Sequence, residues 1–392
     1  MRKYRFIAPC HFGTEAVLKE EIKALGYEVL EVNDGKVTFC GDATAIARCN
    51  VFLRTTERIL LEVARFQART FDELFEKTKA VRWEEYIPED GKFWVTKATS
   101  IKSRLFSPSD IQRIMKKAMV ESLKKAYGLQ IFQETGAEYP VRVTLMKDEV
   151  TIGLDTSGES LHKRGYRRLC GKAPITETLA AALILLTPWK KDRHLVDPFC
   201  GSGTFPIEAA MLGASIAPGM NRSFTAENWK NIAEKRLWYE AVTEAQDIMD
   251  RNELLNMSIQ GYDLDGAIVS AARENARAAG VDKYIHFQER AVKDLNHPNS
   301  YGFVITNPPY GARLEEKEAM PALYREIAKS FERLPTWSFY VISGYEDTEK
   351  YLGTATKRRK IYNGMMKTCF YQYLGPKPPR KKSNGLGQAS EK

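Results

Sequence analysis

Residues 306–311 read Thr-Asn-Pro-Pro-Tyr-Gly, directly after the apolar run Phe303-Val304-Ile305. A strand ending this way sets an amide side chain (Asn307), rigid backbone carbonyls and an aromatic ring (Tyr310) at one sheet edge. Neither Pro308 nor Pro309 can donate a backbone hydrogen bond, and both have φ fixed. Pro308 also biases Asn307 towards an extended backbone. Such a stiff, acceptor-rich corner beside a stacking ring suits a planar base bearing an exocyclic amine. The same residues would also serve as a plain Pro-Pro turn with Tyr310 as packing, so the choice rests on what lies upstream.

Upstream, residues 195–210 carry a short apolar strand into Asp197-Pro-Phe-Cys-Gly-Ser-Gly-Thr204 and then a helical pattern. Gly201 and Gly203 permit φ > 0 and a close approach of backbone amides to a ligand, with Phe199, Ser202 and Thr204 on the same turn. A glycine-rich strand-to-helix turn could equally cradle phosphate. Two details argue otherwise: no Lys follows the loop as in a P-loop, and acidic Asp197 sits at the strand end. A carboxylate there repels phosphate but suits a ligand with a cationic centre and an amino acid moiety. Next comes Ile259-Gln-Gly-Tyr-Asp-Leu-Asp265, a strand ending in acids before a helical run over 267–279. An acid at the tip of a second strand accepts from ribose hydroxyls on doubly wound sheets, which assigns Asp263. Asp265, directly before the helix, fits an N-cap. A third strand over 284–288 leads to Asp294, which could accept from an adenine amino group or cap its own loop.

Asp197–Thr204, Gly261–Asp265 and Thr306–Gly311, in this order, resemble the motifs of class I S-adenosylmethionine-dependent methyltransferases of the amino-methylating type. The resemblance implies that the Gly201–Thr204 loop holds the methionine end, Asp263 the ribose, the segment up to Asp294 the adenine, and Asn307, Pro308 and Tyr310 the target amine. One spacing departs from the usual pattern. The glycine loop and the ribose acid normally lie about 20 residues apart, whereas here residues 211–258 intervene, with Phe224, Trp229, Trp238 and Tyr239 among them. Their helical composition and aromatic content predict helices laid against the methyltransferase domain.

The chain has 392 residues, 43% of them apolar, enough for two or three globular domains. It has no apolar run of 18 residues for a transmembrane helix, and its first residues are not a signal peptide. Six scattered cysteines without Cys-x-x-Cys pairs predict reduced thiols, a cytoplasmic location and neither zinc nor a disulfide framework. Cys200 has no neighbouring His or Lys to activate it and reads as packing; His162 and His194 read as structural. The net charge is +9, and residues 350–390 contain ten Lys or Arg and no acid. Basic runs such as Lys357-Arg-Arg-Lys360 attract nucleic-acid phosphates without reading sequence, although they also occur as solvated ends.

Ahead of the motifs, residues 1–60 mix short strands (4–8, 36–39) with helices (15–25, 43–50) in an α+β pattern. From 60 to 155 the order is strand (60–66), helix (70–79), strand (92–97), loop (98–107), helix (109–127) and two strands (141–147, 149–155). No catalytic set is evident there, which suggests substrate delivery. That order, closing with Leu161-His-Lys-Arg-Gly-Tyr-Arg167, is similar to the THUMP domain and its exit segment, and residues 173–180 resemble the link helix into the methyltransferase. The resemblance implies an α/β protein: a ferredoxin-like domain (1–60), a THUMP RNA-binding domain (61–160), a linker and link helix (161–190), a Rossmann-like class I methyltransferase domain (191–376) and a basic tail (377–392). Lys102, Arg104, Arg164 and Arg167 are the basic residues expected to face RNA. The nearest family is the bacterial THUMP-containing 23S ribosomal RNA guanine-N2 methyltransferases. It implies S-adenosylmethionine as cofactor, large-subunit ribosomal RNA as partner and no metal. A transfer-RNA guanine-N2 methyltransferase and a non-catalytic RNA-binding assembly factor are the alternatives.

Overall fold

A computed structural model describes residues 2–167, 175–251, 256–311, 318–364 and 366–379. The N-terminal half runs β1 (Tyr4–Pro9), α1 (Glu15–Ala24), β2 (Glu28–Asn33), β3 (Lys36–Gly41), α2 (Ala43–Phe52), β4 (Leu60–Gln67), α3 (Phe71–Lys79), β5 (Lys92–Ile101), α4 (Pro108–Tyr127), β6 (Glu138–Met146) and β7 (Glu149–Asp155). Local chemistry sets the helix ends. Asp42 caps α2 by accepting from the Thr44 amide, and Ser107 with Pro108 opens α4, which Gly128 closes at φ 68°. The strands form one sheet in the order β2-β3-β1-β4-β7-β6-β5. The ferredoxin-like and THUMP parts therefore share a sheet, joined where β1 meets β4 at Phe6↔Leu61 and Ile7↔Leu60.

Two elements differ from the sequence reading. The strand β2, Glu-Val-Leu-Glu-Val-Asn, is a mostly exposed edge strand whose charges hide its pairing signal. The loop expected from residue 98 begins later, because β5 stays paired in parallel with β6 as far as Ile101↔Met146, past an irregularity between Val95 and Lys97.

The C-terminal half contains α5 (Glu177–Leu185), β8 (Leu195–Asp197), α6 (Thr204–Gly213), α7 (Lys235–Asp250), β9 (Ile259–Asp263), α8 (Gly266–Ala278), β10 (Ile285–Glu289), β11 (Phe303–Thr306), α9 (Met320–Glu332), β12 (Ser338–Ser343), α10 (Thr348–Leu352), β13 (Lys357–Asn363) and β14 (Met366–Tyr373). Its sheet has the order β10-β9-β8-β11-β12-β14-β13, parallel through β12 and antiparallel in the last two strands. The parallel strands are short and apolar because helices cover both faces. Strand order reverses at β8, so a crevice opens beyond the C-terminal ends of β8, β9 and β11. The α5 helix is apolar all round and buried on nearly every side, as a helix packed between layers must be. Ala173 and Pro174 of the expected link segment, and residues 380–392 of the expected tail, lie outside the described residues.

Residues 211–258 do not simply lie against the methyltransferase sheet. Phe224, Trp229, Trp238, Ala241 and Ala245 join the core of the N-terminal half. Trp229 stacks on Tyr139 (5.0 Å between centroids, 15° between planes) and its Nε1 donates to the Glu138 carbonyl at 2.7 Å. Arg48 of α2 holds Glu244 of α7 through two nitrogens at 2.7 and 2.8 Å. The described part of the insertion is a strap between the halves; Phe224, Trp229 and Trp238 are buried as expected, but across the junction, whereas Tyr239 is exposed to solvent instead.

Candidate active site

Three neighbouring strand ends meet at the crevice. Asp197 ends β8, Asp263 ends β9, and Asn307 directly follows β11. Hydrogen bonds tie these ends together. Asp197 Oδ1 accepts from the Thr306 hydroxyl at 2.6 Å and from the Phe199 amide at 3.1 Å. Asp263 Oδ2 accepts from the Gly201 amide at 3.0 Å, and its Oδ1 accepts from the Asp265 amide at 3.1 Å. Cys200 N donates to the Tyr262 carbonyl at 2.8 Å. The glycine loop is thus fixed to the second strand on one side and to the Asn-Pro-Pro-Tyr corner on the other. Each Asp263 oxygen keeps a further lone pair for a hydroxyl donor.

The loop conformation explains its glycines. Gly203 has φ 89° and is boxed in, since a Cβ there would lie 3.0 Å from Phe287 and 3.2 Å from Ala272. Gly201 has φ 50°, and a Cβ there would meet nothing within 4 Å among the described residues, which leave the space over this turn open. Among the described residues, Ser202 Oγ on this turn and Asn307 Oδ1 at the neighbouring strand end are buried polar atoms without a hydrogen-bond partner. A buried polar atom without a partner is costly, and a ligand that satisfies it is stabilised accordingly. This donor and acceptor set fits an adenosyl amino acid, with Asp197 for its cationic end and Asp263 for its ribose. Asp294 lies in the one-turn segment Val292–Asp294, beyond β10, with its side chain exposed. Phe199 packs against the cluster of Val292, Met320, Tyr324 and Ile327.

Burial sets the electrostatics. Asp197 is buried, and desolvation raises its pKa to about 7 against the Thr306 and Phe199 hydrogen bonds. The Cys200 thiol is pushed well above its ordinary range by the same burial and by the nearby carboxylates, which makes it a packing group. Asp265 caps α8 by accepting from the Ala267 and Ile268 amides. Tyr310 is partly exposed; its hydroxyl accepts from Asn363 Nδ2 at 3.2 Å, and its ring lies against Gly344. Thr306, Gly344 and Asn363 were not among the expected site residues. Only the adjacency of Thr306 to Asn307 offered a signal, because the other two come from strands paired far along the chain.

The four basic residues expected at RNA divide into two pairs. Lys102 and Arg104 sit in the exposed β5–α4 loop; Lys102 has φ 50°, and the Arg104 side chain is 69% exposed, 3.9 Å from Asp148. Arg164 and Arg167 do not face solvent in this way, and that expectation is corrected. The Arg164 residue is 5% exposed, donates to the Leu161 and Arg54 carbonyls, and lies 3.6 Å from buried Glu208. Arg167 pairs with Glu177 at 3.2 Å and donates to Thr204 Oγ1 at 2.7 Å at the start of α6. Both cations serve the junction between the exit segment and α6. His162 is likewise held there, with Nδ1 2.8 Å from Glu57, while His194 packs against His297.

Comparison with known proteins agrees with this arrangement. Residues 164–372 match the UPF0020 (RMKL-like) methyltransferase domain, residues 5–60 the RlmL ferredoxin-like domain and residues 68–155 the THUMP domain. YpsC of Bacillus subtilis (strain 168), provisionally named an RNA methyltransferase, is 50% identical over 98% of this chain and 99% of its own. The ribosomal RNA large subunit methyltransferase K/L of Cellvibrio japonicus (strain Ueda107) is 32% identical over 92% of this chain, which spans only 50% of that relative's length. The crystal structure of SMU.472, provisionally titled a methyltransferase and complexed with SAH, is 39% identical with a TM-score of 0.90, covering 97% of this chain and 100% of its own. The chain belongs to the S-adenosylmethionine-dependent RNA methyltransferases that join an RlmL-type ferredoxin-like domain and a THUMP domain to an RMKL-like methyltransferase domain.

Proposed function

We propose that this protein methylates the exocyclic N2 of a guanine in 23S ribosomal RNA. The observation that carries the reading is the Asn307 side-chain oxygen, buried without a partner among the described residues, next to the Thr306 hydroxyl that ties this strand end to Asp197. An aromatic amine has its lone pair delocalised into the ring and is a poor nucleophile. Asn307 Oδ1 and the Pro308 carbonyl accept its two hydrogens, which draws the nitrogen towards tetrahedral geometry and localises the lone pair. S-adenosylmethionine, when bound, supplies an electrophilic methyl group. The chain's own contribution is mostly positioning, where alignment is worth about 7–11 kcal/mol. Tyr310 stacks on the base once it is turned out of its helix, a contact worth roughly 1–3 kcal/mol. Asp197 and the Gly201–Thr204 turn hold the amino acid end of the donor, Asp263 its ribose and the segment up to Asp294 its adenine.

The large-subunit substrate is supported by the names of the K/L relatives, and guanine N2 by the family resemblance of the corner. Lys102 and Arg104 are the exposed cations expected to meet the RNA backbone. Mass-spectrometric mapping of ribosomal and transfer RNA from a strain lacking the gene tests the reading. One N2-methylguanosine should vanish from 23S RNA and return with the wild-type gene. Loss confined to transfer RNA would transfer the assignment to that substrate, and unchanged modification of both pools would reject it.

A further inference from the structure

A second cavity of about 340 Å³ lies beside the Asn-Pro-Pro-Tyr corner, between the turn after β12 and the β13–β14 hairpin. Its wall includes Gly344, Tyr345, Glu346, Lys360, Tyr362 and Lys367. The hairpin register explains why these side chains gather there. Tyr362 pairs with Lys367 and Lys360 with Cys369, and alternation puts all four on one face of the hairpin. Among the described residues, neither Lys360 nor Lys367 has a carboxylate partner, unlike Arg358 beside them, which pairs with Glu349 at 2.9 Å.

Two contacts join this cavity to the rest of the molecule. Tyr310 packs on Gly344 and is held by Asn363, so the target corner and the cavity share a boundary. On the far side, Phe12 of the N-terminal half meets the Tyr362 ring edge-on at 5.8 Å and 82°, and the Gly13 carbonyl accepts from Arg359 at 2.9 Å. Tyr362 is 37% exposed, yet it is fixed in place by a domain that lies more than 300 residues away in sequence. An open, pre-oriented aromatic face next to two unpaired ammonium groups and one carboxylate matches the three parts of a nucleotide: base face, phosphate and base edge.

We infer that this cavity holds the nucleotide adjacent to the methylated one, with its base on Tyr362, its phosphate at Lys360 and Lys367, and Glu346 accepting from the base edge. The inference rests on the proposed RNA methylation at Asn307. It adds that the enzyme reads or grips a neighbour of its target, through a site completed by the N-terminal half.

The test uses the full chain and an RNA fragment carrying the guanine mapped above, in three forms: intact, or with an abasic residue on the 5′ or the 3′ side of that guanine. One abasic position should raise the wild-type KM roughly 5- to 150-fold, the range expected for one lost stack. Tyr362→Ala should raise KM to a similar extent on intact RNA and add nothing on the abasic fragment, and Tyr362→Phe should restore the wild-type pattern. Lys360→Gln/Lys367→Gln, at exposed positions, should flatten the salt dependence of RNA affinity by about one phosphate contact with donor affinity retained. Multiplying penalties for Tyr362→Ala and both abasic fragments would overturn the inference. So would an unchanged salt slope in the lysine variant, which also serves if Tyr362→Ala fails to fold. Failure of the wild-type protein to methylate the intact fragment would instead remove the underlying function.

Discussion

A carboxylic acid buried as Asp197 is holds its proton to higher pH than it does in the unfolded chain, and this has two consequences. Its folded pKa of about 7 exceeds the unfolded value of about 3.9, so the folded state binds the extra proton between these values. Stability from this residue is therefore greatest below about pH 4 and falls as pH rises to about 7, by up to roughly 1.4 kcal/mol per unit. Asp197→Asn should flatten that part of a melting-temperature profile. In the proposed site, ionised Asp197 would attract the cationic end of the donor, so cofactor affinity measured by calorimetry should strengthen as pH rises through 7, and Asp197→Asn should remove the trend. Cys200 provides the contrasting case: its thiol is buried and held protonated, and Cys200→Ala should keep methyl transfer within about two-fold. A larger loss would show that the thiol has a role this geometry does not assign.

At the scale of elements, motifs that act through their own strand end were legible in sequence. Asp263, Asp265 and the Gly201–Gly203 turn occupy the positions that strand tips and helix starts require, because a strand–loop–helix unit is a local construction. Arg164 and Arg167 show what was not legible. A basic run in a polar segment reads as surface, and only the docking of that segment on α5 and α6 reveals Glu177 and Glu208 as the partners. The two classes of arginine should separate on substitution. Arg164→Ala removes the guanidinium beside buried Glu208, leaving it the Tyr166 hydroxyl at 3.0 Å, and should cost about 3–5 kcal/mol of stability, read in urea unfolding. Lys102→Ala/Arg104→Ala should leave stability unchanged but weaken RNA binding uniformly, with the salt slope reduced by about two. The reverse pattern would exchange their roles.

At the scale of the whole molecule, the strap formed by residues 211–251 packs on both halves and joins them. Sequence marked its aromatics as buried but could not say against what, since Trp229 finds Tyr139 ninety positions earlier. With the Arg48–Glu244 pair, it fastens α7 to the N-terminal half that carries Lys102 and Arg104. Trp229→Ala should cost about 3–5 kcal/mol and loosen the junction. RNA methylation should then fall much further than cofactor affinity, a split that equal losses in both would contradict. The proposed methyl transfer depends on one acceptor in one crevice. Single-turnover transfer of labelled methyl groups to ribosomal RNA by Asn307→Ala, with RNA and cofactor affinities measured in parallel, addresses it most directly. Loss of about 10²–10³-fold in rate, as for removal of one preorganised hydrogen-bonding group, with RNA still bound, is the predicted result. Wild-type turnover by Asn307→Ala would contradict it.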